Sequence, residues 1–307
     1  MDGCIEIERS FTSMNTAIRA VMHVAQSELV EGNRALEDVE TLFAALERDL
    51  SRFLPASELS TLNHAGGRPF KASPILFDIT ERAVQWAKAT DGIYDPTILP
   101  CLVECGYGLT FEELKSDVNS PRPVMERRHT WKDVRLDPES IAITMPDGCS
   151  LDFGGIAKGW AADLAAVRLH GFPRFAVDAG GDIVVGGSQE GAAPWPVVIA
   201  NPFSEDGDIE SIPMTAGAIC TSSTVRRRWK SRDATRHHII DPRTCVSSDS
   251  GVASATVTAE TAVMAEVLAK VAIVLGPIEG MSFVAKHAST SCVLVLDDGQ
   301  VLRSARG

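Results

Sequence analysis

The stretch LDFGGIAKGWAAD, residues 151–163, read together with VDAGGD, residues 177–182, decides how this chain is organised. In each run an acidic residue and a glycine pair close an apolar segment, Gly154-Gly155 in the first and Gly180-Gly181 in the second. Paired glycines let backbone approach a ligand closely and present its N–H groups. After the first pair, Ile156, Trp160, Leu164 and Val167 keep helical spacing and Gly171 supplies a stop. Gly154 and Gly155 are therefore expected at a helix N-terminus, where N–H groups and the helix dipole favour an anion. Lys158 lies within reach of the same place, and Asp152, expected one strand position before the glycines, is placed to meet a metal or a ribose hydroxyl. The second run reads strand, glycine turn, strand, bracketed by Asp178 and Asp182. It lacks the G-x-G-x-x-G spacing and the following helix of a dinucleotide fingerprint. The plain alternatives are a solvated lysine and aspartates that only form turns.

Working outward, residues 5–24 read as a pair of strands around Ser13-Met14-Asn15-Thr16. Leu36, Val39, Phe43, Leu46 and Leu50 predict an amphipathic helix over 33–50, and Ser57 with Glu58 opens a short helix or turn leading to Asn63. Ser73-Pro74 starts the next helix, which Asp91-Gly92 stops. Residues 106–128 read as a mobile, loop-rich insertion, and 131–145 as a strand pair turning at Asp137-Pro138. Residues 218–223 form an apolar strand, followed by the basic cluster Arg226, Arg227, Arg228, Lys230 and Arg232. That cluster attracts either an anionic dinucleotide or an acidic acceptor, or is a solvated face. Residues 256–276 predict a strand and then a helix ended by Gly276-Pro277, and 292–302 a hairpin around Asp298-Gly299.

With 307 residues, 45% of them hydrophobic, the chain can bury a large core. Its 29 basic and 41 acidic residues give a formal charge of -12, which argues against nucleic acid as a partner and requires a local basic pocket or a metal for any anionic ligand. The N-terminal sequence has no basic-then-apolar leader, and no segment reaches the roughly 18 uncharged apolar residues of a spanning helix, so no membrane segment and a cytoplasmic location are expected. Seven irregularly spaced cysteines predict reduced, mostly buried thiols, and the Cys101/Cys105 spacing predicts no zinc site.

The ordered set of motifs from Ser13 to Pro277 resembles the ApbE family, flavin transferases that take FMN from FAD and join it to a protein hydroxyl. The resemblance rests on the 151–163 signature, on IYDPT at 93–97, on TSS at 221–223 and on HHIIDPRT at 237–244. It implies one α+β domain over residues 1–307, mixed sheets with helices, with FAD held between the glycine motifs and the histidine segment. Residue by residue, it implies Met14 near the flavin, Ile93, Tyr94 and Asp95 at the adenine and ribose, and the Thr221 and Ser222 hydroxyls toward the pyrophosphate. Gly154, Gly155, Lys158, Asp178, Gly180, Gly181 and Asp182 complete the cradle. His238, followed by Ile239, matches the family histidine and is chemically suited to take a proton from the attacking hydroxyl, with Asp152 and Lys158 assisting. Magnesium is implied beside Ala157 and Glu266. The chain departs from the family pattern at Asn15, Tyr94, Ser223, Cys245, Glu266 and Lys270. Lys270 stands where a metal-binding hydroxyl is usual, so either its ammonium replaces the ion or it forms an outward surface pair with Glu266. The implied reaction is transfer of FMN to a Thr or Ser of an acceptor protein, with release of AMP. FAD hydrolysis to FMN and AMP, non-catalytic FAD binding, and a metal-dependent phosphohydrolase unrelated to the family are the alternatives.

Overall fold

The computed structural model describes residues 4–108, 127–187, 193–204, 207–231 and 234–304. It opens with a hairpin, β1 (Ile5–Ser13) and β2 (Thr16–Val24). Met14 at φ 51 and Asn15 at φ 57 make the two-residue turn, with Ser13 opposite Thr16. Two left-handed residues give a hairpin turn whose twist matches that of the strands; asparagine adopts it readily and methionine only under strain. A second hairpin of the same design joins β6 (Arg174–Ala179) to β7 (Asp182–Gly186), here with Gly180 at φ 70 and Gly181 at φ 96. With β10 (Gly217–Ser223), β15 (Val252–Ala259), β16 (Ser291–Leu296) and β17 (Val301–Arg303), these strands build one antiparallel sheet in the order β1-β2-β6-β7-β10-β15-β16-β17. The predicted hairpin at 292–302 is thus its edge.

Side chains alternate across this sheet, so each face has its own core. Ala20, Met22, Ala218 and Cys220 face the helices, whereas Val21 and Ile219 face the hairpin of β8 (Trp195–Ala200) and β9 (Asp208–Met214) through Val197, Ile199, Ile212 and Met214. The helical layer holds α1 (Leu29–Leu50), α5 (Ala157–Leu169) and α6 (Ala262–Leu275), with α2 (Glu58–Asn63), α3 (Pro74–Ala89), α4 (Leu99–Glu104) and α7 (Pro277–Val284) around it. Smaller pairs complete the chain: β3 (Phe70–Lys71) and β4 (Arg135–Asp137) flank β5 (Ala142–Thr144), β11 (Arg228–Ser231) pairs with β12 (Ala234–His237), and β13 (Ile240–Asp241) with β14 (Val246–Ser247). One core cluster runs from Ile18 to Leu294, which makes the described residues a single α+β domain.

Several expectations need correction. α1 starts at Leu29, four residues before the predicted 33, because Gly32 lets its first turn lie on the β1–β2 hairpin; a β-carbon there would be 2.9 Å from both Ile7 and Val24 side-chain atoms. α6 has eleven buried residues, Glu266 among them, and runs through the core. Residues 131–133 form a 3-10 turn before the strand pair begins. No strand precedes Gly154. Residues 151–153 run extended because the Asn63 side chain both donates to the Leu151 carbonyl (3.0 Å) and accepts from its N–H (2.8 Å), while the Asp152 N–H donates to the Pro96 carbonyl (2.8 Å). Cys101 and Cys245 form a disulfide with Cα atoms 5.1 Å apart, against the expectation of reduced thiols; of the other five cysteines, all but Cys4 are buried. Residues 109–126 of the expected mobile insertion, and Arg232, lie outside the described residues. Among the described residues no helix is long and apolar enough to cross a membrane.

α5 and α6 are coupled end to side. The Asp163 carboxylate on α5 accepts the Ala262 N–H (2.7 Å) and the Val263 N–H (3.0 Å), capping α6 from outside its own chain segment. Asp163→Ala leaves both donors without this acceptor and is expected to cost about 1–3 kcal/mol, read as a lower chemical-denaturation midpoint with an unchanged slope. A midpoint equal to that of the unmutated chain would show that the cap carries no stability.

Candidate active site

A cavity of about 370 Å³ opens between the end of α1, the α5 entrance and the β12–β13 segment. Met14, Ile93, Tyr94 and Asp95 line it, as do Asp152, Gly154, Gly155, Ala157 and Lys158, together with His238, Ile239 and Lys270. Most of the predicted site residues therefore converge. The rest do not reach the cavity. Thr221 bonds sideways to the Thr256 hydroxyl (2.8 Å) and Ser222 is buried, so neither hydroxyl faces the space expected for a pyrophosphate. Gly180 and Gly181 act one layer behind: a β-carbon on Gly180 would overlap the Thr16 hydroxyl, so the two hairpin turns stack, and Asp178 accepts the Gly181 N–H (2.8 Å) to hold the turn.

The lysine of the glycine motif is not free. Lys158 Nζ bonds to Asp182 Oδ2 and to Glu266 Oε1 (2.9 Å), and Glu266 Oε1 also accepts from Lys270 Nζ (3.0 Å). Glu266 Oε2 accepts the Gly159 N–H (2.8 Å). The two carboxylate side chains are 3% and 0% exposed, so the outward surface pair considered for Glu266 and Lys270 is ruled out. Burial alone would raise Glu266, but the two ammonium groups outweigh it and draw its pKa down from 4.5 to about 2. For Lys158, burial works in the lowering direction and the Asp182 and Glu266 charges overcome it, holding the ammonium well above its ordinary range. Asp182 shifts upward, because burial and the Glu266 charge exceed the pull of Lys158.

The other acidic residues are equally committed. Asp152 Oδ2 pairs with Arg52 Nε (2.6 Å) and its Oδ1 accepts the Gly154 N–H (2.9 Å), an N–H expected to be free for an anion. Asp95 accepts from the Thr97 N–H and hydroxyl and from Arg127 Nη2 (2.9 Å), and so organises its own loop. Among the described residues, three groups of the cavity stand outside these pairings. The Tyr94 hydroxyl and His238 Nδ1 are buried and make no hydrogen bond, and Arg227 lines the cavity with no ion pair among the described residues. His238 is pushed well below 6.5 by burial, then by Arg227 and Lys270, so its ring is neutral near pH 7. Its neighbour His237 is the structural histidine: Nδ1 accepts the Ile239 N–H (3.3 Å) and Nε2 meets the Ser248 carbonyl (2.8 Å).

Sequence reasoning passed over Arg52. Its guanidinium lies 4.0 Å over the Phe53 ring and 4.9 Å over Tyr107, a buried cation on the cavity wall with no motif around it. Arg227 was visible only as one of five basic residues.

A cleft at one edge of a mixed α+β domain, walled by unpaired cationic and neutral donors around a neutral histidine, defines a site for an anionic, partly apolar ligand. The sequence profile of the ApbE family matches residues 14–294, and the chain belongs to that family. The FAD:protein FMN transferase of Vibrio cholerae serotype O1 is 24% identical over 302 residues, 96% of this chain and 89% of that protein. The enzyme of the same name from Treponema pallidum is 27% identical over 296 residues, covering 90% and 80%. Among solved structures, the ApbE protein of Thermotoga maritima superposes with a TM-score of 0.85 at 26% identity, over 98% of this chain and 97% of that one. The flavin transferase ApbE of Vibrio cholerae gives 0.78 at 23% identity, over 99% and 98%.

The depressed Glu266 makes a pH prediction. An acid whose folded pKa lies below its unfolded value stabilises the fold above the unfolded pKa, and that stability is lost as pH falls through the folded one. Between pH 4.5 and about 2 the unmutated chain should therefore lose stability more steeply than Glu266→Gln, which has no proton to take up there. Parallel stability curves for the two proteins across that window would contradict the buried pairing.

Proposed function

We propose that this chain is an FAD:protein FMN transferase that joins FMN through a phosphoester to a Thr or Ser hydroxyl of an acceptor protein. The observation that carries the reading is His238: a neutral imidazole with an unpartnered, buried Nδ1 in the one wall of the cavity that also presents Arg227. A neutral ring can take a proton that an imidazolium cannot. In the reaction, the acceptor oxygen bonds to the FMN-side phosphorus, the bond from that phosphorus to the bridging oxygen breaks, AMP departs, and the hydroxyl proton passes to His238. Arg227 and Lys270 meet the charge that gathers on the phosphoryl oxygens, which is where phosphoryl transfer gains most from a protein. Apolar Met14, Ile93 and Phe53 suit the flavin end.

Intact-mass analysis of Thr- and Ser-containing acceptor peptides after incubation with FAD tests the proposal. An FMN-sized mass gain on the peptide is expected, whereas free FMN and AMP with an unmodified peptide would make the chain an FAD pyrophosphatase. His238→Asn should bind FAD normally and turn over about 10²- to 10⁴-fold more slowly. Because the neutral ring is the working form and its pKa is depressed, activity should persist as pH falls past 6.5 and fail only below it. An acid limb in kcat/KM at or above 6.5 would take the proton acceptor away from His238.

A further inference from the structure

We propose that Lys270 Nζ and Tyr94 Oη, whose side chains both pack beside Gly155, form a donor pair for the FAD pyrophosphate that replaces a divalent cation, so that this chain binds its donor substrate without metal. The inference rests on reading the chain as an FAD-using transferase, and of the two readings of Lys270 that the sequence left open it takes the one in which the ammonium replaces the ion. The residues present do not suit that ion. Both Glu266 oxygens are used, by two ammonium groups and by the Gly159 N–H, and both Asp152 oxygens are used, by Arg52 and the Gly154 N–H. Among the described residues no group of three or more His, Cys, Asp or Glu side chains could hold a metal. An ion entering here would have to displace Lys270.

The two donors are placed for the role. A β-carbon on Gly155 would lie 3.0 Å from Tyr94 Cε2 and 3.4 and 3.5 Å from Lys270 Cδ and Cε, so the bare backbone of the glycine motif is flanked by both side chains. Tyr94 is 7% exposed, lines the cavity and has a buried hydroxyl without a partner among the described residues, an arrangement that a bound acceptor oxygen would satisfy. Lys270 donates toward Glu266 Oε1 (3.0 Å) and the Glu266 carbonyl (3.5 Å), which leaves its third N–H for a ligand. Of the buried charge cluster, Lys270 and Lys158 reach the cavity wall and the carboxylates do not. A phosphate oxygen beside Gly155 therefore meets the ammonium groups of that cluster rather than its carboxylates.

The test is titration calorimetry of the whole chain with FAD, in EDTA and in millimolar magnesium, together with magnesium titrated alone into the FAD-loaded protein. Equal Kd values within about 2-fold in the two buffers and no heat of magnesium binding are expected, while Tyr94→Phe and Lys270→Met should each weaken FAD about 5- to 30-fold in EDTA. A Kd at least about 10-fold weaker in EDTA, restored by magnesium, would overturn the metal-free site while leaving the transferase reading intact. Absence of FAD binding in both buffers would overturn both. Should Lys270→Met fail to fold, Tyr94→Phe removes only a hydroxyl, and unchanged FAD affinity in that variant would overturn the pair.

Discussion

Two buried carboxylates and the two half-buried lysines paired with them hold this structure in register. Lys158 comes from α5, Asp182 from the first position of β7, and Glu266 and Lys270 from α6, and no carboxylate among them is open to solvent. Removing one partner from such a set leaves a buried charge uncompensated, at about 3–5 kcal/mol, against a net stability of about 5–15 kcal/mol for a whole domain. The pairing is thus comparable with the margin by which the chain folds. It demands that two helices and a sheet strand meet within hydrogen-bond distance, and Gly159 makes that possible. A β-carbon there would lie 2.7 Å from the Ala262 carbonyl oxygen and 2.9 Å from Glu266 Oε2, so α5 can approach α6 only because the position is bare. The Gly159 N–H then donates to the same carboxylate that the close approach exposes.

The cavity is a consequence of that contact. With α5 fixed against α6, the glycine turn at 154–155 is carried in front of Lys270, and the β6–β7 turn is carried against Thr16 of the β1–β2 turn. Met14 and Asn15, both left-handed, form the turn of the first hairpin and line the cavity. Strain at a methionine backbone persists only where the surroundings over-determine it, and here the stacked turns do so. The surroundings of the cavity are drawn together by contacts distant in sequence: Arg52 to Asp152, Asn63 to Leu151, and the Cys101–Cys245 disulfide that ties α4 to the turn after β13.

Local pattern was enough to read the hairpins at 13–16 and 177–187, the starts of α2 and α3 at Ser57 and Ser73, and the glycine stop of α6, because each depends on residues within a few positions. The extended run before Gly154 looked like a strand because its partner is a side chain 88 residues away rather than another strand. Asp152, Lys158, Glu266 and His238 were legible as chemistry, and the four-residue spacing offered the Glu266–Lys270 pair, but the pairs of Lys158 with Asp182 and Glu266 and of Asp152 with Arg52 were not legible, because each joins separate segments. Arg52 carried no signal at all. Arg227 could not be told from Arg226 or Arg228 by composition; only the turn into β11 brings it to the cavity, while Arg228 folds back on the Thr224 carbonyl (2.6 Å). The cysteine count argued for free thiols because neither spacing nor parity reveals that α4 passes Cys245.

The adjacent histidines show how the fold divides like residues between structure and chemistry. Successive positions at the end of a strand point to opposite sides. His237, on the inner side, spends both nitrogens on backbone groups and fixes the path of the chain into β13. His238 is then turned to the cavity with Nδ1 unspent, and the neighbouring cations Arg227 and Lys270, which lower its pKa, are those proposed to meet the substrate phosphates. The two effects are linked. A bound anion would offset the cations, raise the affinity of His238 for a proton, and so make it a better base when the phosphates are in place than when the site is empty. In a chain carrying a formal charge of -12, concentrating positive charge at this one wall both selects the anionic substrate and couples its arrival to the proton acceptor.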